Sequence, residues 1–99
     1  MIEKLEPAER QAALAKLDGW TSVEGRDAIT KVFTFGDFQE AFAFMTRSAL
    51  LAERMNHHPE WSNVYRTVTV TLATHVVDGV TSFDIKLAEG MNRFAGQGG

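Results

Sequence analysis

The chain has 99 residues, 13 acidic against 10 basic side chains for a net charge of −3, three histidines and no cysteine. That length allows one domain, since domains mostly run roughly 100–150 residues, and burial of about two-thirds of the unfolded surface suffices for a core without covalent staples. The absent cysteine excludes a disulfide framework, a zinc–thiolate centre and a thiol nucleophile, and the acidic balance argues against a nucleic-acid partner.

Met1-Ile2-Glu3-Lys4-Leu5-Glu6 has neither a basic nor an apolar leader region. No apolar run approaches the roughly 18 residues of a membrane span, so a soluble, cytoplasmic protein without a membrane partner is expected. Residues 7–17 read as a short helix with Pro7 at its first position, Leu14 and Leu17 on one face, and Gly19 as the stop. A hairpin follows, with Trp20–Val23 and Ala28–Phe35 as strands around a turn at residues 24–27. Ile29, Phe33 and Phe35 share a face that Lys31 interrupts, its ammonium snorkelling to the edge.

Residues 37–56 form the strongest helical pattern, opened by Asp37 and Glu40 as a capping box. Phe38, Ala41, Phe42, Phe44, Met45, Ala49, Leu51, Ala52 and Met55 cover about half its circumference at helical spacing. Leu50 lies on the opposite side, as a lone exposed leucine or a second helix–helix contact. In residues 61–75, Val68, Val70 and Leu72 alternate with Thr67, Thr69 and Thr71, the mark of a sheet with one covered face. Asp78-Gly79 is a turn. The last helix starts at Thr81, with Asp84 completing a capping box and Val80 and Ile85 a hydrophobic staple. This order implies an α+β fold: an antiparallel sheet with helices on one face. One domain spans residues 1–95, and residues 96–99 read as a flexible tail.

All three histidines lie between positions 57 and 75. Pro59 pushes His58 out of helical backbone space, so His57 is expected to close the long helix while His58 leaves it, the two rings pointing apart. A helix C-terminus favours a cation. The plain alternative makes one ring a cap and leaves the other exposed. Glu53, four residues before His57, is expected on the same helix face within reach of its ring. His75 ends the alternating strand on the threonine parity, away from the covered side or at the sheet's end. Asp84 suits a capping acid and can also orient a histidine. Trp20 and Trp61 are core or edge aromatics that could cover a flat ring ligand. Adjacent histidines rarely share one metal ion, and neither a phosphate-binding glycine loop nor a nucleophile elbow is present, so no metal and no cofactor are expected. Three imidazoles and two carboxylates remain, a set suited to acid–base catalysis near neutral pH.

Together these residues resemble the pterin-4a-carbinolamine dehydratase family. Its signature joins an acidic or polar residue, His-His-Pro, an aromatic, a later His and a spaced Asp. Here Glu53, His57-His58-Pro59, Tyr65, His75 and Asp84 satisfy each spacing, and Gly19-Trp20, the segment from Pro59 to Tyr65 and Thr74-His75 also look like the family. The resemblance covers nearly the whole chain. It implies four antiparallel strands with three helices on one face, in the order α-β-β-α-β-β-α. It also implies a hydro-lyase that dehydrates 4a-hydroxytetrahydropterin to quinonoid dihydropterin, recycling tetrahydrobiopterin for a pterin-dependent aromatic amino acid hydroxylase. By carry-over His57 and His75 would be the acid–base pair and His58 would orient the pterin. Glu53 and Asp84 would tune the imidazoles, Pro59 would belong to the binding segment, and Trp20 or Trp61 would line the pocket. Family members form homodimers by sheet extension, and some form homotetramers through their long helices. Two other readings stay open: an interaction module that stabilises a transcription-factor dimer, and the same chemistry on another pterin, such as a molybdopterin-related one.

Overall fold

Val68, Val70 and Leu72 are buried on one side of a strand whose threonines lie on the other, and the fold is arranged around that division. The computed structural model describes residues 2–96. Its elements are α1 (Pro7–Ala15), β1 (Thr21–Ser22), β2 (Ile29–Thr34), α2 (Phe38–Met55), β3 (Glu60–Val64), β4 (Thr67–Leu72) and α3 (Ser82–Gly96). This is the expected α-β-β-α-β-β-α order, with one four-stranded antiparallel sheet in spatial order β1-β2-β4-β3. β4 pairs Ile29 of β2 with Leu72 and Phe33 with Val68, and these four residues are buried on the helix-covered face, while Val32 of β2 is exposed on the other. Phe44 of α2 and Leu87 and Met91 of α3 complete the core, and Leu5 and Leu14 pack against it. Among the described residues, no helix is long and apolar enough to cross a membrane.

Several boundaries differ from the sequence reading. α1 stops at Ala15 with Lys16 as its cap, so Leu17 reaches the core from the following turn and not from the helix. The first strand shrinks to Thr21–Ser22. The stretch 61–75 divides at Tyr65, whose left-handed φ of 51° turns β3 back into β4, and β4 ends at Leu72. Gly96 belongs to α3, and residues 97–99 of the expected tail lie outside the described residues, as does Met1. Lys31 does snorkel: its Nζ donates to the Asp18 carbonyl at 2.7 Å and to Asn92 Oδ1 at 2.9 Å while lying over the Phe33 ring.

In α2 the buried stripe is narrower than the apolar pattern suggests. Ala41, Phe44, Ser48 and Ala52 are buried, whereas Phe38, Phe42 and Ala49 are exposed beside that stripe. A single contacting layer covers less than half a helix surface, and the apolar residues outside it have no core to enter. Asp37 caps the helix as expected by accepting from the Glu40 amide, but the Glu40 carboxylate accepts from Gly36 and not from Asp37.

The end of α2 departs most from expectation. Asn56, not His57, closes the helix, in a left-handed conformation at φ 53°. Its amide bonds Glu53 O at 3.1 Å and the His57 amide bonds Ala52 O at 3.0 Å, the paired bonds of a Schellman motif. Asparagine tolerates this backbone because its short polar side chain offsets part of the steric cost. Accordingly, Asn56→Ala should lower unfolding free energy by about 1 kcal/mol in urea titrations, whereas Asn56→Gly should leave it unchanged or raise it. Equal effects of both substitutions would contradict the motif.

Candidate active site

The Schellman turn reverses the chain within residues 56–59 and delivers His57 toward the start of α3. There His57 Nε2 lies 2.6 Å from Asp84 Oδ1, with 11% of the histidine side chain and none of the aspartate side chain exposed. Thr81 is the N-cap position, and its amide donates to Asp84 Oδ2 at 2.9 Å as the capping box requires. Thr74 Oγ1 donates to the same oxygen at 2.8 Å. Since the one Thr74 proton is thereby used, the 2.7 Å contact between the two threonine hydroxyls is donated by Thr81. Asp84 thus combines both roles weighed from its position, the capping acid and the partner of a histidine.

Glu53 does not reach His57. Its Oε1 lies 2.8 Å from Nε2 of His58, because the left-handed turn carries His57 off the helix face that the four-residue spacing assumed. His58 is exposed at 56% of its side chain. His75 does not end a strand. Ala73 and Thr74 are both buried, which breaks the alternation, and His75 begins a tight turn closed by the Thr74–Gly79 bridge. Its side chain is 69% exposed, and Nε2 lies 3.0 Å from Glu60 Oε2. Arg26 grips the same carboxylate with both terminal nitrogens, at 2.9 and 2.5 Å. The guanidinium's hydrogen bonds, followed by that of His75, hold the Glu60 carboxyl well below its usual range, at about 2.

His57, His58 and His75 share the lining of one cleft of about 410 Å³, with apolar walls from Met55, Ala73, Val76 and Phe83 and a further contribution from Ile2. That volume suits a small ring ligand. The Phe83 ring lies 5.9 Å from that of His57. Each imidazole meets a carboxylate through Nε2, so each neutral ring that donates there keeps its lone pair on Nδ1. Among the described residues no group of three or more His, Cys, Asp or Glu is placed to hold a metal ion.

The tryptophans stand elsewhere. Trp20 is buried in the core, edge-on to Phe33, and its Nε1 donates to Asn92 Oδ1 at 3.0 Å. Trp61 pairs with Val70 and packs against the core from the sheet edge; neither indole lines the histidine cleft. Pro59 joins His58 to the first residue of β3, and Tyr65 lies at the far end of that hairpin. Thr74, Glu60 and Arg26 were missed as site residues. Glu60 had a local signal, since it follows the His-His-Pro run directly. Arg26 had none, because only the folded sheet brings residue 26 to residue 60.

The family model described as Pterin 4 alpha carbinolamine dehydratase matches residues 3–94. A relative from Rhodopseudomonas palustris (strain HaA2) is 60% identical over 99 residues, covering all of this chain and 98% of its own length. One from Nitrobacter winogradskyi is 59% identical over 99 residues, with the same coverage. Both carry the name pterin-4-alpha-carbinolamine dehydratase. The crystal structure of a transcriptional coactivator/pterin dehydratase from Brucella melitensis superposes with a TM-score of 0.93 at 54% identity, covering 94% of this chain and 99% of that one.

Because Asp84 meets three partners inside the protein, Asp84→Ala leaves the Thr81 amide without its acceptor and takes one hydrogen bond each from the Thr74 hydroxyl and the His57 ring. The expected loss is about 2–4 kcal/mol of unfolding free energy in denaturant titration. A loss below about 0.5 kcal/mol, the range of ordinary surface changes, would contradict the structural role.

Proposed function

The chain belongs to the pterin 4 alpha carbinolamine dehydratase family, and on that premise we propose that its histidine cleft dehydrates 4a-hydroxytetrahydropterin to quinonoid dihydropterin. The reaction breaks the C4a–O bond and forms a C=N bond. The departing oxygen takes one proton from a general acid and leaves as water, while the adjacent ring nitrogen yields one proton to a general base. The protein therefore ends with its proton inventory unchanged, having moved one proton out and one in. Histidine serves either role near neutral pH.

We assign the acid–base pair to His57 and His75 and the orientation of the pterin to His58, with Asp84 and Glu53 tuning the rings they touch. The observation that carries the reading is the shared cleft: three imidazoles, each backed by a carboxylate through Nε2, around a space with apolar walls. A flat heterocycle can lie against Phe83 and Met55 while the Nδ1 atoms serve its polar edge. The setting we infer is cytoplasmic, with the product returned to tetrahydrobiopterin for an aromatic amino acid hydroxylase. In stopped-flow assays with synthetic 4a-hydroxytetrahydropterin, His57→Ala and His75→Ala should each lower turnover by about 10²–10⁴-fold while the protein stays folded. Wild-type rates in both variants would overturn the reading.

A second reading has its own support, since the Brucella melitensis relative is titled a coactivator as well as a dehydratase. A binding role would use a surface and not the imidazoles, and the same histidine variants would then bind their partner normally while wild type showed negligible turnover. Action on a different pterin would leave the histidine variants inactive but shift the preferred substrate.

We also propose a homodimer formed by pairing of β3, the longer of the sheet's two edge strands, with its copy, and a homotetramer formed through α2. The Phe38 and Phe42 rings lie 5.6 Å apart, tilted by 31°, on the exposed side of that helix, and Leu50 is exposed farther round. Phe42→Glu should halve the mass seen by light scattering, from tetramer to dimer, with little change in unfolding free energy. An unchanged mass would remove α2 from the assembly.

A further inference from the structure

His75 is the most exposed of the three imidazoles, and unlike His57 it has no buried carboxyl to fix its ring. A proton-transfer group must nevertheless be held in one orientation and one tautomer. We propose that Glu60 is the positioning residue for His75 and that Arg26 locks Glu60 in place, an inference that rests on the acid–base reading of His75 given above.

The three residues come from separate segments: Arg26 from the β1–β2 turn, Glu60 from the first position of β3, and His75 from the turn after β4. Glu60 is anchored at its backbone, where it pairs with Thr71 of β4 and follows Pro59. Its carboxylate is anchored at the other end by Arg26, with Nη1 on Oε1 at 2.9 Å and Nη2 on Oε2 at 2.5 Å. A two-pronged guanidinium contact fixes the plane of the carboxylate, which a single lysine-type contact would not. Oε2 then presents a second lone pair to Nε2 of His75 at 3.0 Å. With Nε2 donating, the neutral ring holds its lone pair on Nδ1, the nitrogen left for substrate.

Stability does not account for this arrangement. Ion pairs between partly exposed side chains contribute little to folding, and these groups are all partly exposed. Charge fits it as well: the hydrogen bonds of Arg26 and then His75 hold the Glu60 carboxyl well below its usual range, so it meets the ring as an anion, and Asp78 is a further charge that acts on Arg26. The arrangement also parallels the other two histidines, which meet Asp84 and Glu53 through the same ring nitrogen. Arg26 does for Glu60, at the exposed sheet edge, what Thr74 and the Thr81 amide do for the buried Asp84: it fixes the carboxylate that meets the ring.

The test is a set of full-length variants assayed by stopped flow with 4a-hydroxytetrahydropterin: E60Q, R26M, R26K, H75A and the double variant E60Q/H75A. E60Q should lower kcat about 10–100-fold with KM changed by no more than about twofold. R26M should give a smaller loss in the same direction, part of which R26K restores. The double variant should be no slower than H75A alone, because a residue that acts through His75 has nothing to position once the ring is gone. Wild-type kcat in E60Q, or losses that multiply in the double variant, would overturn the role of Glu60 while leaving His75 in place. Wild-type turnover in H75A would instead overturn the reading beneath it.

Discussion

One carboxyl group ties the architecture to the site. Asp84 is fully buried, and its oxygens accept from the Thr81 amide, the Thr74 hydroxyl and the His57 ring. The first contact starts α3, the second fastens that helix to the chain leaving β4, and the third fastens it to the chain leaving α2. A buried carboxyl is costly unless its acceptor sites are filled, and here donors from three segments fill them together. The helix cap, the packing of α3 and the placement of His57 are therefore one interaction viewed from three sides. The helix ends add to it: the C-terminus of α2 favours positive charge and the N-terminus of α3 favours negative charge, matching the signs that a histidine and an aspartate can carry.

The other two histidines are held by more exposed versions of the same contact. His58 meets Glu53, an exposed residue of the last turn of α2, over a single hydrogen bond. His75 meets Glu60, also partly exposed but stiffened by Arg26. The family reading assigns proton transfer to His57 and His75 and orientation to His58, and the supports follow the same division. The two rings proposed for proton transfer have carboxylates that are themselves anchored, whereas the ring proposed for binding meets the carboxylate of the exposed Glu53. Positioning demands are stricter for proton transfer than for contact, since transfer needs a hydrogen-bond distance and a defined tautomer.

Local chemistry made much of this legible from the sequence. Asp37 and Thr81 open their helices because a capping side chain acts on amides only two or three residues away, and the Val–Thr alternation reports the two faces of β4 without further context. The nature of the site was legible too, because three histidines, a proline and an acid at fixed gaps are rare together. What escaped was whatever depends on a turn or on a second segment. Asn56 was passed over as the left-handed terminator, so Glu53 was matched to the wrong histidine. Trp20 reads from the sequence as a core or edge aromatic that could also cover a ligand, and only its partner Asn92, 72 residues away, and its place in the core decide between the two. Phe38 and Phe42 belong to the apolar stripe but not to the core, because periodicity measures the width of an apolar stripe, not the width of the surface available to cover it.

Those two phenylalanines also bear on how the site and the assembly are separated. The cleft opens where the C-terminus of α2 meets the N-terminus of α3, while Phe38 and Phe42 lie in the first turns of α2. A helix of 18 residues spans about 27 Å, so contacts made through its first turns do not crowd the histidines at its last. The β3 edge is different. Glu60 begins that strand, and β3 pairing with a copy of itself would bring a partner's backbone alongside the segment that holds His75. Assembly through α2 would leave the histidine cleft untouched, and assembly through β3 would stiffen the more exposed of the two histidines proposed for proton transfer. On the proposed acid–base reading, a sheet-edge dimer would therefore bear on the chemistry in a way that a helix-packed one would not.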